Sequence, residues 1–396
     1  MNKRDFLKLA AAAPLAASPV RLYAAASSTS ARLLLVFLRG GYDASNVLVP
    51  VGSSFYYESR PNIAVPRPGS AAKAALPLDG DWGLHPALGA SLLPLYQQGQ
   101  LAFVPFAGTR DLSRSHFQTQ DTIELGQAHD GRRNYQSGFL NRLAATLAGQ
   151  SRAISFTDRV PVAFRGELQV PNMALKQVRK PAVDPVQTAV IAEMYRDTPY
   201  ARAIDEGISV RDGVMQNMAA EMEAASRNAI TARGFELEAR RIARLMRDRY
   251  NVGFVDVGGW DTHVGQGGAE GFLANRLEQL GSGIAAYAAE MGAQWNDTVV
   301  IVLSEFGRTF RENGSRGTDH GHGTVYWIAG GSVRGGRTAG EQIQLRQSTL
   351  HQNRDYPVLT EYRALCGGLF ARVYGFGAPQ LERVFPGTSP VDLGLV

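Results

Sequence analysis

Residues 33–43 read LLLVFLRGGYD: six apolar side chains, then at once an arginine, two glycines, a tyrosine and a carboxylate. The run is too short for a helix and lacks the alternation of a strand wetted on one side. It predicts a strand over 33–38 covered on both faces, the pattern of a parallel sheet. Three further runs repeat it, at 101–106 (LAFVPF), 253–257 (GFVDV) and 298–303 (TVVIVL), with 326–329 (YWIA) a weaker fifth. Apolar residues at three- and four-residue spacing predict helices over 87–97, 116–125, 186–195, 214–250 and 271–295. In the last of these, Leu273, Leu277, Leu280, Ile284, Tyr287 and Met291 trace one core-facing stripe. Strands and helices alternate, so the chain reads as doubly wound α/β. The stretch at about 180–250 reads as a mainly helical excursion, and the tail after Gly375, with Pro379, Pro386 and Pro390, as loop.

With 396 residues, 44% of them hydrophobic and 19% charged, the chain can bury a large core. Its 43 glycines and 19 prolines are scattered, which excludes a collagen-like or disordered chain. Residues 1–26 follow another logic: a basic KRDFLK segment at 3–8, a short apolar stretch at 9–17, and small residues Ala24, Ala25 and Ala26 for a signal peptidase. The apolar stretch falls well short of the ~20 residues that span a bilayer. The pattern resembles a twin-arginine (Tat) signal with Lys3 in place of the first arginine, so the ordinary secretion (Sec) route stays open. Either predicts a bacterial periplasmic or secreted protein, with 27–396 as its mature domain. Lys3, Arg4, Lys8 and Arg21 against Asp5 carry +3 of the formal +5, leaving about +2, too little for a nucleic-acid partner. The lone Cys366 excludes internal disulfides and thiolate metal clusters.

The chemistry sits where the apolar runs stop. In an open parallel sheet, ligands bind beyond the carboxyl ends of the strands. Here those ends are followed by Arg39 to Asp43, by Arg110 to His116, by GGWDTH (258–263), and by Ser304-Glu305-Phe306-Gly307-Arg308 with Asp319-His320-Gly321-His322 beyond. Four of the seven histidines fall in these loops. Carboxylate and imidazole so close together suit a divalent ion with mixed N/O ligands. Each motif alone has a plainer reading. Asp43 suits a helix cap at Ala44-Ser45, Glu305 an ion pair with Arg308 or Arg311, and Ser115 an N-cap. His85, His129 and His351 read as solvated.

The stretches LVFLRGGYDASNVLVP (35–50), SRSHFQTQDTIELG (113–126), GGWDTHVGQ (258–266), VIVLSEFGRTFRENGSRGTDHGHG (300–323) and EYRALCGGLFARVYGF with LERVFPG (361–387) resemble the DUF1501 family of exported bacterial proteins. That family is assigned to the alkaline phosphatase/sulfatase-like superfamily. The resemblance implies a three-layer α/β/α fold with a mostly parallel central sheet. It also implies one or two divalent ions (zinc, manganese, magnesium or calcium) and a small anionic ester substrate. On that basis Asp43, Asp261, His263, Glu305, Asp319, His320 and His322 are the expected ligands. Ser115 is the expected nucleophile, with Ser113 as alternative and Arg114 and His116 beside it. The superfamily's Asp-His-Gly commonly follows the fourth run directly. Here Ser304-Glu305-Phe306-Gly307 stands there, and Asp319-His320-Gly321 comes fourteen residues after Glu305. Two functions follow: a hydrolase of phosphate or sulfate esters, with Arg39, Arg110, Arg114 and Arg308 available to the anion, or a non-catalytic exported metal-binding or assembly protein on the same fold. No Gly-x-Ser-x-Gly elbow, Walker A motif or dinucleotide fingerprint is present.

Overall fold

A computed structural model of the chain describes residues 31–128, 131–173 and 234–396, with isolated positions between 193 and 231. The leader, His129, most of the expected helix at 186–195 and most of the expected helical excursion lie outside them. The apolar runs form strands β1 (Arg32–Leu38), β2 (Leu101–Gly108), β4 (Val252–Gly258), β5 (Thr298–Ser304) and β6 (Thr324–Ala329). The short β3 (Ala153–Ser155) and β7 (Arg337–Thr338) complete a path ordered β7-β2-β6-β5-β1-β4-β3. β1 pairs parallel with both β4 and β5. β6 runs antiparallel to both its neighbours, β5 and β2. The sheet is therefore mostly parallel with one reversed strand, a direction that the apolar run at 326–329 does not reveal.

Side chains of β1 alternate between two cores. Leu33, Leu35 and Phe37 pack on one face against helices α4 (Phe139–Thr146), α7 (Tyr362–Tyr374) and α8 (Ala378–Val384). Leu34, Val36 and Leu38 pack on the other against α5 (Phe235–Asp248) and α6 (Phe272–Met291). Helices cover both faces, the three-layer α/β/α arrangement expected. The α6 stripe from Leu273 to Met291 is buried throughout. Two helix readings are corrected. The expected helix at 87–97 is a 3₁₀ turn (Pro86–Leu88) and a short α-helix, α2 (Leu93–Gln97), following α1 (Ser54–Ser59). Gly89, which disfavours a helix interior, stands between the two pieces, and Pro94, which a helix tolerates only in its first turn, sits in the first turn of α2. The tail is helical over α8, where Pro379 sits in the first turn, the one place a helix tolerates it.

Helix α3 (His116–Leu125) carries a buried polar stripe at i, i+4 and i+8: His116, Gln120 and Glu124. Gln120 and Glu124 both meet Arg39, which also binds Asp256 at 2.6 Å, so a charged cluster replaces apolar packing beneath the sheet's carboxyl edge. Among the described residues, no helix is long and apolar enough to cross a membrane. Leu277→Ala, at a fully buried α6 position, is expected to cost about 2–5 kcal/mol in urea unfolding, whereas Leu237→Ala, 48% exposed on α5, is expected to stay within about 0.5 kcal/mol of the parent.

Candidate metal centre

β1, β2, β4 and β5 end on one edge of the sheet, and β6, being reversed, begins there. The Asp319–His322 loop that enters β6 thus reaches the same place as the loops that leave the other strands. Four side chains converge from three of these loops: His116, Asp261, His263 and His320.

His116 opens α3 and is buried. Its Nδ1 lies 2.9 Å from Glu305 Oε1. An ionised carboxylate can only accept, so Nδ1 carries a proton and Nε2 is the ring nitrogen that faces inward. Glu305 is itself held: Oε1 accepts from Gly40 N at 2.8 Å and Gln120 Nε2 at 2.9 Å, and Oε2 accepts from Ser304 Oγ at 2.8 Å. His320 is oriented likewise, its Nδ1 donating to the Arg114 carbonyl at 3.0 Å. His263 Nδ1 faces Asp319 Oδ1 at 3.3 Å. All three rings therefore turn Nε2 toward one region.

There the His320 Nε2 stands 2.9 Å from His116 Nε2 and 3.0 Å from His263 Nε2. Asp261 Oδ1 is 2.9 Å from His263 Nε2 and 3.3 Å from His320 Nε2. Its Oδ2 lies 3.4 Å from His116 Nε2 and, though buried, makes no hydrogen bond. The ligand atoms of His116, Asp261 and His320 all fall within 4.8 Å of one another, with His263 beside them. Lone pairs this close repel unless a proton or a cation lies between them. Zinc with ligands at about 2.0–2.1 Å in a tetrahedron sets its donors about 3.3–3.4 Å apart, close to the spacings here.

The electrostatics agree. Burial alone would lower the His116 imidazole, but Asp261 and Glu305 outweigh it and raise it to about 9. Burial would raise Asp261, yet the three imidazoles around it and the Arg308 charge hold it far below the usual carboxylate range. Glu305 is brought to about 2 against its burial, chiefly by the bond and charge of His116. The pocket favours positive charge at the point where the three rings meet.

Two glycines make this approach possible. Gly40 and Gly41 follow β1 at φ +119° and +63°, a region closed to most side chains. A Cβ at Gly40 would lie 2.7 Å from the Asp261 amide, and one at Gly41 within 2.4 Å of the Phe306 ring. That ring packs at 4.9 Å on His116 and 5.1 Å on His320.

The remaining expected residues stand apart from the cluster. Asp43, expected as a ligand, is taken up by Arg60, which binds both its oxygens at 2.5 and 3.0 Å, and by Gln266. Glu305, also expected as a ligand, holds the far side of His116 instead. Asp319 does the same for His263, with half of its side chain exposed. His322 is buried beside the His351 ring, 4.8 Å away, and burial with its cationic neighbours pushes it down to about 4. Arg308 pairs with Asp261 at 2.5 Å rather than with Glu305, and Arg311 with the Asn353 carbonyl. The Arg114 guanidinium binds Asp355 at 2.6 Å. Ser113 Oγ accepts from the Ser115 amide at 3.3 Å. Ser115 has the backbone of an N-cap, but its hydroxyl caps nothing. His85, expected in solvent, is buried against the Gly268 carbonyl at 3.0 Å, and His351 is half-buried. Gln120, Phe306, Arg60 and Asp355 escaped sequence reasoning. Only Gln120 carried a signal, its i+4 spacing from His116.

Glu305→Gln keeps the shape and removes the charge that fixes the His116 tautomer. It is expected to weaken divalent-ion affinity about 10- to 100-fold in a competition titration, with the fold retained by circular dichroism.

In comparisons with known proteins, no curated protein matches the chain. Among solved structures, it is similar to a protein in the alkaline phosphatase superfamily from Vibrio parahaemolyticus, with 12% identity, a TM-score of 0.38, and coverage of 87% of this chain and 66% of that one. It is also similar to Ps i-CgsB in complex with k-i-k-neocarrahexaose (9%, TM-score 0.42, 88% and 73%). A third likeness is to BT1596, a 2-O GAG sulfatase (9%, TM-score 0.42, 92% and 73%). The chain thus spans 66–73% of the length of those proteins, and likenesses at these values carry no functional argument. The model of the family described as Protein of unknown function (DUF1501) matches residues 30–385, and the chain belongs to that family.

Proposed function

We propose that this chain is an exported, metal-dependent hydrolase of phosphate or sulfate esters. The observation that carries the reading is the meeting of imidazole Nε2 atoms at 2.9–3.0 Å beside a buried, unsatisfied carboxylate oxygen of Asp261. Such a donor set fits a divalent ion with nitrogen and oxygen ligands. His116, His320 and Asp261 would hold it, with His263 adjacent. A divalent ion there would supply charge stabilisation to the ester oxygens and a lowered pKa to a nearby hydroxyl.

The chain's own groups suit the rest. Glu305, the Arg114 carbonyl and Asp319 keep the Nδ1 protons on the outside, so the nitrogens facing inward stay basic. Ser115 lies between Arg114 and His116, both anchored at the centre, and its hydroxyl forms no capping bond. It also opens α3, whose free amides favour an anion. In the proposed displacement, Ser115 Oγ bonds to phosphorus or sulfur and passes its proton to water. The bridging ester oxygen leaves with the electron pair, and a second water then cleaves the seryl ester. The ester class and the export route rest on the family resemblance and the leader. Seryl chemistry is supported here by the hydroxyl's lack of a capping bond at the start of α3.

Elemental analysis of purified protein, with turnover of aryl phosphates and aryl sulfates, tests the reading. At least one divalent ion per chain is expected. Asp261→Ala should lose both ion and turnover, and Ser115→Ala should keep the ion while losing roughly a thousandfold or more in rate. An ion without turnover of either ester would favour the non-catalytic metal-binding or assembly protein. The absence of stoichiometric ion would overturn both readings.

A further inference from the structure

Arg114 holds a backbone conformation that its side chain opposes. Its φ is +52°, in the left-handed region that an ordinary residue populates about 5- to 30-fold less than glycine does. In that conformation the Arg114 carbonyl meets His320 Nδ1 at 3.0 Å, and the next residue, Ser115, stands at the head of α3. The side chain shows what holds it there. Its Nε and Nη2 both donate to Asp355 Oδ2, at 3.0 and 2.6 Å, and Nη2 also donates to Gln352 Oε1 at 2.7 Å.

Asp355 is fully buried, and its other oxygen, Oδ1, makes no hydrogen bond. Burial raises its carboxyl, and the Arg114 bond leads the interactions that oppose this. A carboxylate compensated on one oxygen only is costly to bury. It closes a tight turn with His351, their backbones exchanging bonds at 2.8 and 3.1 Å, with Gln352 and Asn353 at φ +52° and +56°. Asp355 also pairs through its backbone with Thr309, whose neighbour Arg308 binds Asp261. Among the described residues, six that are not glycine have a positive φ, and three of them, Arg114, Gln352 and Asn353, lie at this one contact. Strain gathered in this way persists only where the surroundings enforce it, and it clusters where a group must be positioned.

Resting on the metal-dependent hydrolase reading, we propose that Asp355 is a positioning residue. By gripping the Arg114 guanidinium it keeps that backbone left-handed, and so fixes both the acceptor that orients His320 and the place of Ser115. It acts through Arg114 alone.

Glycine at position 114 adopts the same backbone unaided, whereas alanine does not, and both lack the guanidinium. Zinc affinity, read by competition with a chromophoric chelator, therefore separates the backbone's role from the charge. Arg114→Ala should bind zinc about 5- to 30-fold more weakly than Arg114→Gly, and Asp355→Ala more weakly than the parent by a similar factor. With Arg114→Gly already in place, adding Asp355→Ala should change the affinity by no more than about twofold. At saturating zinc, Asp355→Ala should lower kcat on an aryl phosphate by up to about a hundredfold and leave KM nearly unchanged. Equal zinc affinity in Arg114→Gly and Arg114→Ala overturns the inference. So does an Asp355→Ala loss that persists undiminished beside Arg114→Gly. These affinities need no turnover, so a parent that binds zinc and cleaves neither ester overturns the hydrolase reading alone. A parent that binds no divalent ion overturns that reading and this inference with it.

Discussion

His116 and His320 face each other through nitrogens 2.9 Å apart, and each has its proton committed on the opposite side of the ring. Two lone pairs cannot rest at that distance without a positive charge between them. Much of the carboxyl edge of the sheet is arranged around this constraint. Glu305, buried and ionised, is tolerable there because it accepts four hydrogen bonds and sits against a ring that positive charge favours. Asp261 is tolerable because Arg308 and the three imidazoles surround it.

Topology supplies the rest. Were β6 parallel to β5, the loop carrying Asp319 and His320 would enter it at the opposite edge of the sheet. Reversal lets one loop leave β5 at Ser304, turn, and return into β6 at the same edge. That loop carries Glu305 on its outward limb and His320 on its return limb, so one excursion delivers both a ring and the carboxylate that orients the ring facing it. Beneath it, the cluster of Arg39, Asp256, Glu124 and Gln120 ties α3 to β1 and β4, which fixes where His116 stands.

Much of this was legible in the residues. Runs such as 33–38 and 298–303 are apolar without alternation, and strands covered on both faces have few other ways to look. The convergence of Asp261, His263 and His320 followed from where those runs end. Roles were harder. Asp43 and Asp261 occupy equivalent places after β1 and β4, yet Arg60 claims the first, through a contact 17 residues along that no local pattern announces. Glu305 and Asp319 were legible as members of the site but not as partners of Nδ1, because that depends on which way each imidazole is turned. The direction of β6 and the helical tail also escaped, since neither strand polarity nor a proline in a first turn leaves a periodic trace.

X-ray absorption at the zinc edge, on protein loaded with one equivalent of zinc, tests the central claim most directly. The account predicts a shell of at least two imidazole nitrogens with carboxylate oxygen at about 2.0–2.1 Å. A shell of oxygen alone, or imidazole scattering that survives replacement of both His116 and His320, would contradict it.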